Sequence, residues 1–458
     1  MTKSILIKNA TVITSQKTAL LDVLVENGII TQMGSNISVT PAETIDAIDV
    51  IDGTGLHLIP GAIDPQVHFR DPGMEWKEDL ASGSRAAAAG GVTSFLEMPN
   101  TTPNTITAEL MTAKKAIAKA KSLVNYNFFI GATPENLPDI LTTKNVCGIK
   151  IFMGASTGSL LVDKMADLEK IFSKGKRLIA VHAEDEAMIQ ENKVKYAGTT
   201  KVTDHNLIRS PEVAIKATRN AVGLARKYNR RLHILHMTTQ EEAEFLTEEK
   251  KTLPRLKSTG DCIVSAEVCP QHFLLTAPEC YEKLGTYAQM NPPIREARHG
   301  EALWKALKAG VIDCIATDHA PHTSEEKEKG FPQAPSGMPG VETSLPLMLN
   351  RANQGHCTIE EVVKWMCENP ARLYGIKNKG RIEVGYDADL VLVDMQKEKT
   401  IENGKLQTKV NWSPYNGWKT KGWPVMTMVN GNVVYRHGEF FTDVLGKEMI
   451  IDAPWEKD

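Results

Sequence analysis

Apolar and polar positions divide the chain into three stretches. Segments 4–14, 19–34 and 44–52 alternate like strands, with turn signals at Asn27-Gly28 and Gly53. The far end has the same texture. ADLVLVDM (388–395) precedes VMTMVNGNVVYRHGEFF (425–441), where Asn430-Gly431 marks a hairpin. Between these ends, short apolar or β-branched runs finish near His68, Pro99, Ala132, Met153, Glu184, Thr238, Pro270 and His319. Helical patterns separate most of them, as at 76–91, 108–123 and 213–228. Strands alternating with crossover helices predict an α/β fold, a parallel (β/α)8 barrel rather than an open sheet. The barrel is expected over residues 56–379. A small composite β-sandwich is expected from 1–55 together with 380–458. There is no tandem repeat beyond the alternation and no low-complexity segment.

Polar residues gather at the C-terminal ends of these strands: DPQVHFR (64–70), EMPN (97–100), GIKIF (148–152), VHAED (181–185), ILHMT (234–238) and ATDHAPH (316–322). Barrels of this kind carry their active sites there. Strand alternation puts Asp64, Gln66, His68 and Arg70 on one face. Gln66 and His68 could hold a metal or form a polar plug, and these residues alone leave the two evenly balanced. His182 and His236 each end a strand, where a single histidine is more often structural. Two of them beside His68 shift the balance. Asp318 suits a metal ligand, a general base, or both. Lys150 lies in an otherwise apolar run. Burial lowers its pKa, and the neutral amine can add carbon dioxide. The plainer reading is a lysine snorkelling out of the strand end. Alternation sends His233 and His319 away from their neighbours, so both are expected to pack against helices. Cys269 and His272 end strand seven and suit a loop cap. The lysine-rich 322–331 reads as a solvated loop or a cover over the site.

Composition narrows the function classes. The 458 residues carry a net charge of −3, which argues against a nucleic-acid partner but allows a local basic patch. Seven cysteines without a CxxC pair suit a reducing compartment and buried thiols. The opening MTKSILIKNATVI has no apolar signal core and no membrane span is visible, so a cytoplasmic protein is expected.

With these residues in view, the chain resembles the amidohydrolase superfamily over nearly its whole length. PGAIDPQVHFRDPG (60–73) resembles the family's first ligand strand, and GIKIFMG (148–154) its carboxylated-lysine strand. VHAEDE (181–186), HILHMTT (233–239) and ATDHAPH resemble the next three. The return NPARLYGIKNKGRIEVGYDADLVLVD (369–394) looks like the family's entry into the composite sandwich. Arg70 after the HF pair, Asn100 in MPNTTP, NPPIR (291–295) and His322 resemble class I dihydroorotases in particular. SPYNGWKTKGWPVMTMVNGNVVY (413–435) adds to that likeness, and SGMPGVETS (336–344) resembles the loop that meets the substrate ring.

The resemblance implies reversible ring closure of N-carbamoyl-L-aspartate to L-dihydroorotate and water, in pyrimidine (UMP) synthesis. It implies one or two divalent metals, zinc first, on His68, Lys150, His182, His236 and Asp318, with Lys150 N6-carboxylated. Asp318 would also move the proton. Arg70, Asn100, Asn291 and His322 would hold the substrate, and a guanidinium fork suits its carboxylate. A homodimer is implied as well. One departure stands out: Gln66 occupies the first place of the family's His-x-His pair, so it would be a weak ligand or none. Two rival readings follow. One is a hydantoinase or allantoinase, against which the Arg70/Asn100 pair argues. The other is a catalytically silent subunit supporting a partner such as aspartate transcarbamoylase.

Overall fold

A computed structural model describes residues 4–38, 48–156 and 158–457. Eight parallel strands follow one another around a barrel: β1 (Ala62–Val67), β2 (Val92–Glu97), β3 (Asn125–Gly131), β4 (Gly148–Phe152), β5 (Ile179–His182), β6 (Leu232–Ile234), β7 (Val264–Val268) and β8 (Cys314–Ile315). Closure comes beyond the end of β8, where His68 N–H donates to the His319 carbonyl at 2.7 Å beside a Val67–His319 bridge. β1 is irregular between Asp64 and Val67. Pro65 lies there and has no N–H to give to a ladder.

Side-chain alternation decides what faces where. Phe95, Ile149, Ile151, Val181 and Ile234 join the outer core under the helices. Ile63, Leu96, Phe129, Ala180, Cys314 and Tyr374 form a separate cluster that reaches across the barrel interior and closes its floor. Helix Leu80–Ala89 starts at a reciprocal cap between Asp79 and Ser82. It approaches β1 closely because Gly83 has no Cβ: one placed there would lie 2.5 Å from the Phe69 ring. Helix Pro211–Tyr228 begins with proline in its first turn and ends on Asn229 at φ 46°.

Both ends of the chain meet in one hydrogen-bonded, mainly antiparallel sheet of nine strands. Its order is Glu439–Phe440, Asn432–Arg436, Lys419–Val429, Leu390–Thr400, His57–Pro60, Ser4–Ile13, Thr18–Glu26 and Ile29–Gly34, with Ile48–Asp52 also beside Ser4–Ile13. Ser4–Ile13 pairs with Ile48–Asp52 along its first half and with His57–Leu58 further on. A register break between Ile7 and Ala10 in its pairing with Thr18–Glu26 marks that change. The sheet has its own core of Ile5, Val12, Val23, Leu58, Leu390 and Met428. The expected strand 44–52 is seen as Ile48–Asp52; residues 44–47 lie outside the described residues.

Candidate metal centre and substrate pocket

The strand ends deliver Gln66, His68, Lys150, His182, His236 and Asp318 to one chamber. Strand geometry alone does not aim them all. Arg70, His236 and Asp318 have φ of 65°, 36° and 49°, in the left-handed region that non-glycine residues seldom adopt. Each such residue costs on the order of 1–3 kcal/mol, which the surrounding fold must offset. All three turn at the point where their strand gives way to a loop carrying site residues.

Asn100 Oδ1 lies 2.8 Å from His68 Nδ1. An amide oxygen only accepts, so Nδ1 holds the ring proton and a neutral ring presents a lone pair at Nε2. That lone pair faces Asp318 Oδ1 at 3.0 Å. Two acceptors so placed call for a cation or a proton between them, and burial lowers the His68 pKa and disfavours the proton. His182 Nδ1 and His236 Nε2 face each other at 3.0 Å, and burial lowers both pKa values. His236 Nδ1 and Gln66 Oε1 are buried without a hydrogen-bond partner among the described residues. Neutral imidazoles, a carboxylate and a buried amine converging in this way fit a divalent cation. Lys150 is the amine. Burial pulls its pKa down to about 7 against Asp318 and Glu267, and its Nζ sits 4.5 Å from the Phe152 ring centre. Gln66 takes a different part: its amide nitrogen donates to Asp318 Oδ1 at 2.9 Å.

Glu184 stands behind His182, its Oε2 2.8 Å from Nε2, and also pairs with Arg209. Burial works against the Glu184 charge, but Arg209, His182 and Arg295 overcome it and bring its pKa to about 2. An acidic group behind a ligand-type histidine fixes the ring's orientation.

Beside the chamber lies a cavity of about 1170 Å³ lined by Arg70, Asn100, Asn291, Arg209, His322 and Ser336 among others. Asn291 and Ser336 line both spaces. Arg70 donates from Nε to the Pro321 carbonyl at 3.3 Å, and its Nη2 is 3.2 Å from His322 Nε2. Burial lowers the Arg70 pKa to about 10, so it stays cationic at neutral pH. Asn291 Oδ1 has no hydrogen-bond partner among the described residues. The expected substrate residues thus share one wall, with Asn100 already holding His68.

Three expectations need correction. His233 does not face the helices. It points into the barrel, with Ser265 Oγ 2.8 Å from Nδ1, Glu267 Oε2 3.1 Å from Nε2, and the Tyr374 ring beside it. β6 ends at Ile234, and the left-handed turn at His236 lets both histidines point inward, three residues apart. His233, Glu267 and Cys314 lie within 4.8 Å of one another by their ligand-type atoms. Segment 322–331 is not simply solvated. Lys327 is fully buried and donates to the carbonyls of Gln289, Pro335 and Gly337 at 3.1, 2.8 and 3.0 Å. The helix expected from 76 begins at Leu80, which leaves Lys77 in the pocket wall. His319 does pack away from Asp318, accepting from Gly340 and Val341 N–H at 3.0 and 3.2 Å. His272 holds the 291–295 segment through the Pro292 carbonyl at 3.2 Å, and Cys269 is buried.

Sequence reasoning passed over Lys77, Glu184 and Arg209. Glu184 carried a signal, since it lies two residues after His182 on the same strand end. Arg209 carried none, because its loop is distant in sequence.

A barrel with this chamber at its strand ends is an amidohydrolase scaffold, and residues 57–434 match the amidohydrolase family model, so the chain belongs to that family. Its relatives within the family include dihydroorotases. That of Halobacterium salinarum is 36% identical over 404 residues, covering 86% of this chain and 92% of the relative. That of Acetivibrio thermocellus is 36% identical over 428 residues, covering 91% and 95%. Among solved structures, the L-hydantoinase (dihydropyrimidinase) from Arthrobacter aurescens is similar with a TM-score of 0.90 at 30% identity, covering 98% of this chain and all of that one.

Proposed function

We propose that the protein is a dihydroorotase, interconverting N-carbamoyl-L-aspartate and L-dihydroorotate in pyrimidine synthesis. The observation that carries this reading is the buried Arg70 beside His322, in a cavity that shares Asn291 and Ser336 with the metal-fitting chamber. A hydantoin or dihydropyrimidine ring without an exocyclic carboxylate offers that guanidinium only neutral carbonyl oxygens, with no anion to match its charge and fork. The hydantoinase likeness is therefore one of scaffold.

His68, His182, His236, Asp318 and Lys150 would hold the metal, zinc in this reading, with the Lys150 amine carboxylated. When bound, the metal polarises the ring carbonyl and makes water nucleophilic at neutral pH. Arg70, Asn100, Asn291 and His322 hold the substrate so that the ring carbonyl faces the chamber. In the hydrolytic direction Asp318 takes the proton released by the attacking water. It passes that proton to the ring nitrogen as the amide bond opens. Ring closure runs the same transfers backwards. Work in the cytoplasm, as a homodimer, belongs to the same proposal. Among the described residues no helix is long and apolar enough to cross a membrane.

The test is Arg70→Lys, which keeps the charge and loses the fork. Dihydroorotate hydrolysis should lose about 2–5 kcal/mol of transition-state stabilisation, as for removal of one partner of a buried charged pair. Unchanged kcat/KM in that variant would remove the carboxylate assignment.

A further inference from the structure

His322 is met on every polar side by more groups than one tautomer can satisfy. Nε2 lies 3.1 Å from the Ser336 carbonyl and 3.2 Å from Arg70 Nη2. Nδ1 lies 3.1 Å from Lys77 Nζ and 3.3 Å from Glu326 Oε2. The ring is neutral. Burial pushes its pKa down to about 3, with Arg70, Lys77 and Lys327 adding to the effect and Glu326 opposing it. A neutral imidazole has one N–H and one lone pair. With the proton on Nε2, the ring donates to Ser336 and accepts from Lys77. With the proton on Nδ1, it donates to Glu326 and accepts from Arg70. Each form sets one cation against a ring N–H, Arg70 in the first and Lys77 in the second. Lys77 tips the balance to the first, because Glu326 Oε2 already accepts from the Thr323 N–H at 3.2 Å and does not depend on the ring as a donor. Glu326 Oε1 holds Lys77 in place at 3.0 Å, and Glu326 is itself fixed by a reciprocal cap with Thr323.

We propose that Lys77 is a positioning residue that fixes His322 in its Nε2–H form and so sets the pocket to receive a carboxylate between His322 and Arg70. In that form Arg70 Nη2 and His322 Nε2 oppose each other donor to donor. An anionic oxygen alongside the pair accepts from Arg70 and takes over the single Nε2–H from the Ser336 carbonyl, which relieves the opposition. Without Lys77 the ring turns to its Nδ1–H form, and Nε2 meets the incoming anion with a lone pair. The tautomer assignment stands on the pocket's own contacts. Only the identity of the anion, a dihydroorotate carboxylate, rests on the proposed function.

The test combines ring-nitrogen NMR of 15N-histidine-labelled full-length protein with kinetics on L-dihydroorotate. Comparison with His322→Gln identifies the His322 signals. Wild type should show Nε2 protonated and Nδ1 with an acceptor shift. Lys77→Met should invert that pattern and raise KM about tenfold, the scale of one lost charged hydrogen bond, with kcat within about twofold. Lys77→Arg, which can still donate to Nδ1, should restore the wild-type pattern and most of the affinity. A wild-type Nδ1–H form overturns the proposal whether or not the variants fold. So does a Lys77→Met protein with unchanged ring shifts and KM. If wild type neither binds nor opens dihydroorotate, the dihydroorotase reading falls, while the ring shifts still decide the part of Lys77.

Discussion

Gln66 donates to the same Asp318 oxygen that His68 Nε2 faces, so it occupies one acceptor position of the carboxylate instead of offering a lone pair to a cation. An amide oxygen is also a poorer zinc ligand than an imidazole. Two unequal sites are therefore expected. The one served by His182, His236 and Lys150 should be tight, and the one served by His68 and Asp318 should lose metal to a mild chelator. Gln66→His should raise bound metal from about one toward about two per chain. Metal titration checks this. Two tight metals in wild type with fewer in the variant would make Gln66 a ligand in its own right. Lys150 gives a second prediction at this scale. Its pKa is lowered to about 7, so the reactive neutral amine is scarce below that pH and dominant above it. Carbamate formation converts the amine and carbon dioxide to a carbamate anion and releases one proton. Incorporation of 13C-labelled bicarbonate at Lys150 should therefore grow from pH 6 to 8. Uptake that is flat, or that falls over this range, contradicts a carboxylated lysine.

Among the elements, the segment after β8 departs most from its composition. Its lysines and glutamates suggest solvent, yet Lys327 pins the strip from Gln289 to Gly337 by three carbonyls. Lys327→Met should leave buried acceptors unsatisfied and cost about 1–3 kcal/mol of stability. Faster hydrogen exchange in residues 332–337 should accompany the loss. Unchanged exchange there would show that the peg is dispensable. This segment also shows where sequence reading stops. Charge marks a residue that needs partners, and a buried lysine among carbonyls has the same sequence as an exposed one. The strand ends were legible because short apolar or β-branched runs broke at Lys150, His182 and Asp318, and because polar residues alternate up to His68. His233 was misplaced because period-two reasoning assumes that a strand continues, and β6 stops before His236 turns left-handed. Lys77 was hidden by a helical pattern that reaches further back than the Asp79 cap allows.

At the scale of the whole molecule, the barrel places a metal-fitting chamber next to a wall that carries Arg70 and His322, and the terminal sheet packs against its flank. Thr427 Oγ1 donates to the Ala88 carbonyl at 2.7 Å, joining sheet to barrel helix. The barrel, the terminal sheet and the ligand strands could all be read from periodicity and motif resemblance. The contacts among Arg70, His322, Lys77 and Glu326 could not, because they join loops some 250 residues apart in sequence. In the proposed function, this chamber and this wall act together on one carboxylated ring. The most direct test is turnover of L-dihydroorotate, beside hydantoin and 5,6-dihydrouracil, by protein of measured metal content. Dihydroorotate hydrolysis proportional to bound metal, with little or no opening of the two uncarboxylated rings, is the predicted result. Metal-loaded protein that opens hydantoin or dihydrouracil but leaves dihydroorotate intact would contradict it.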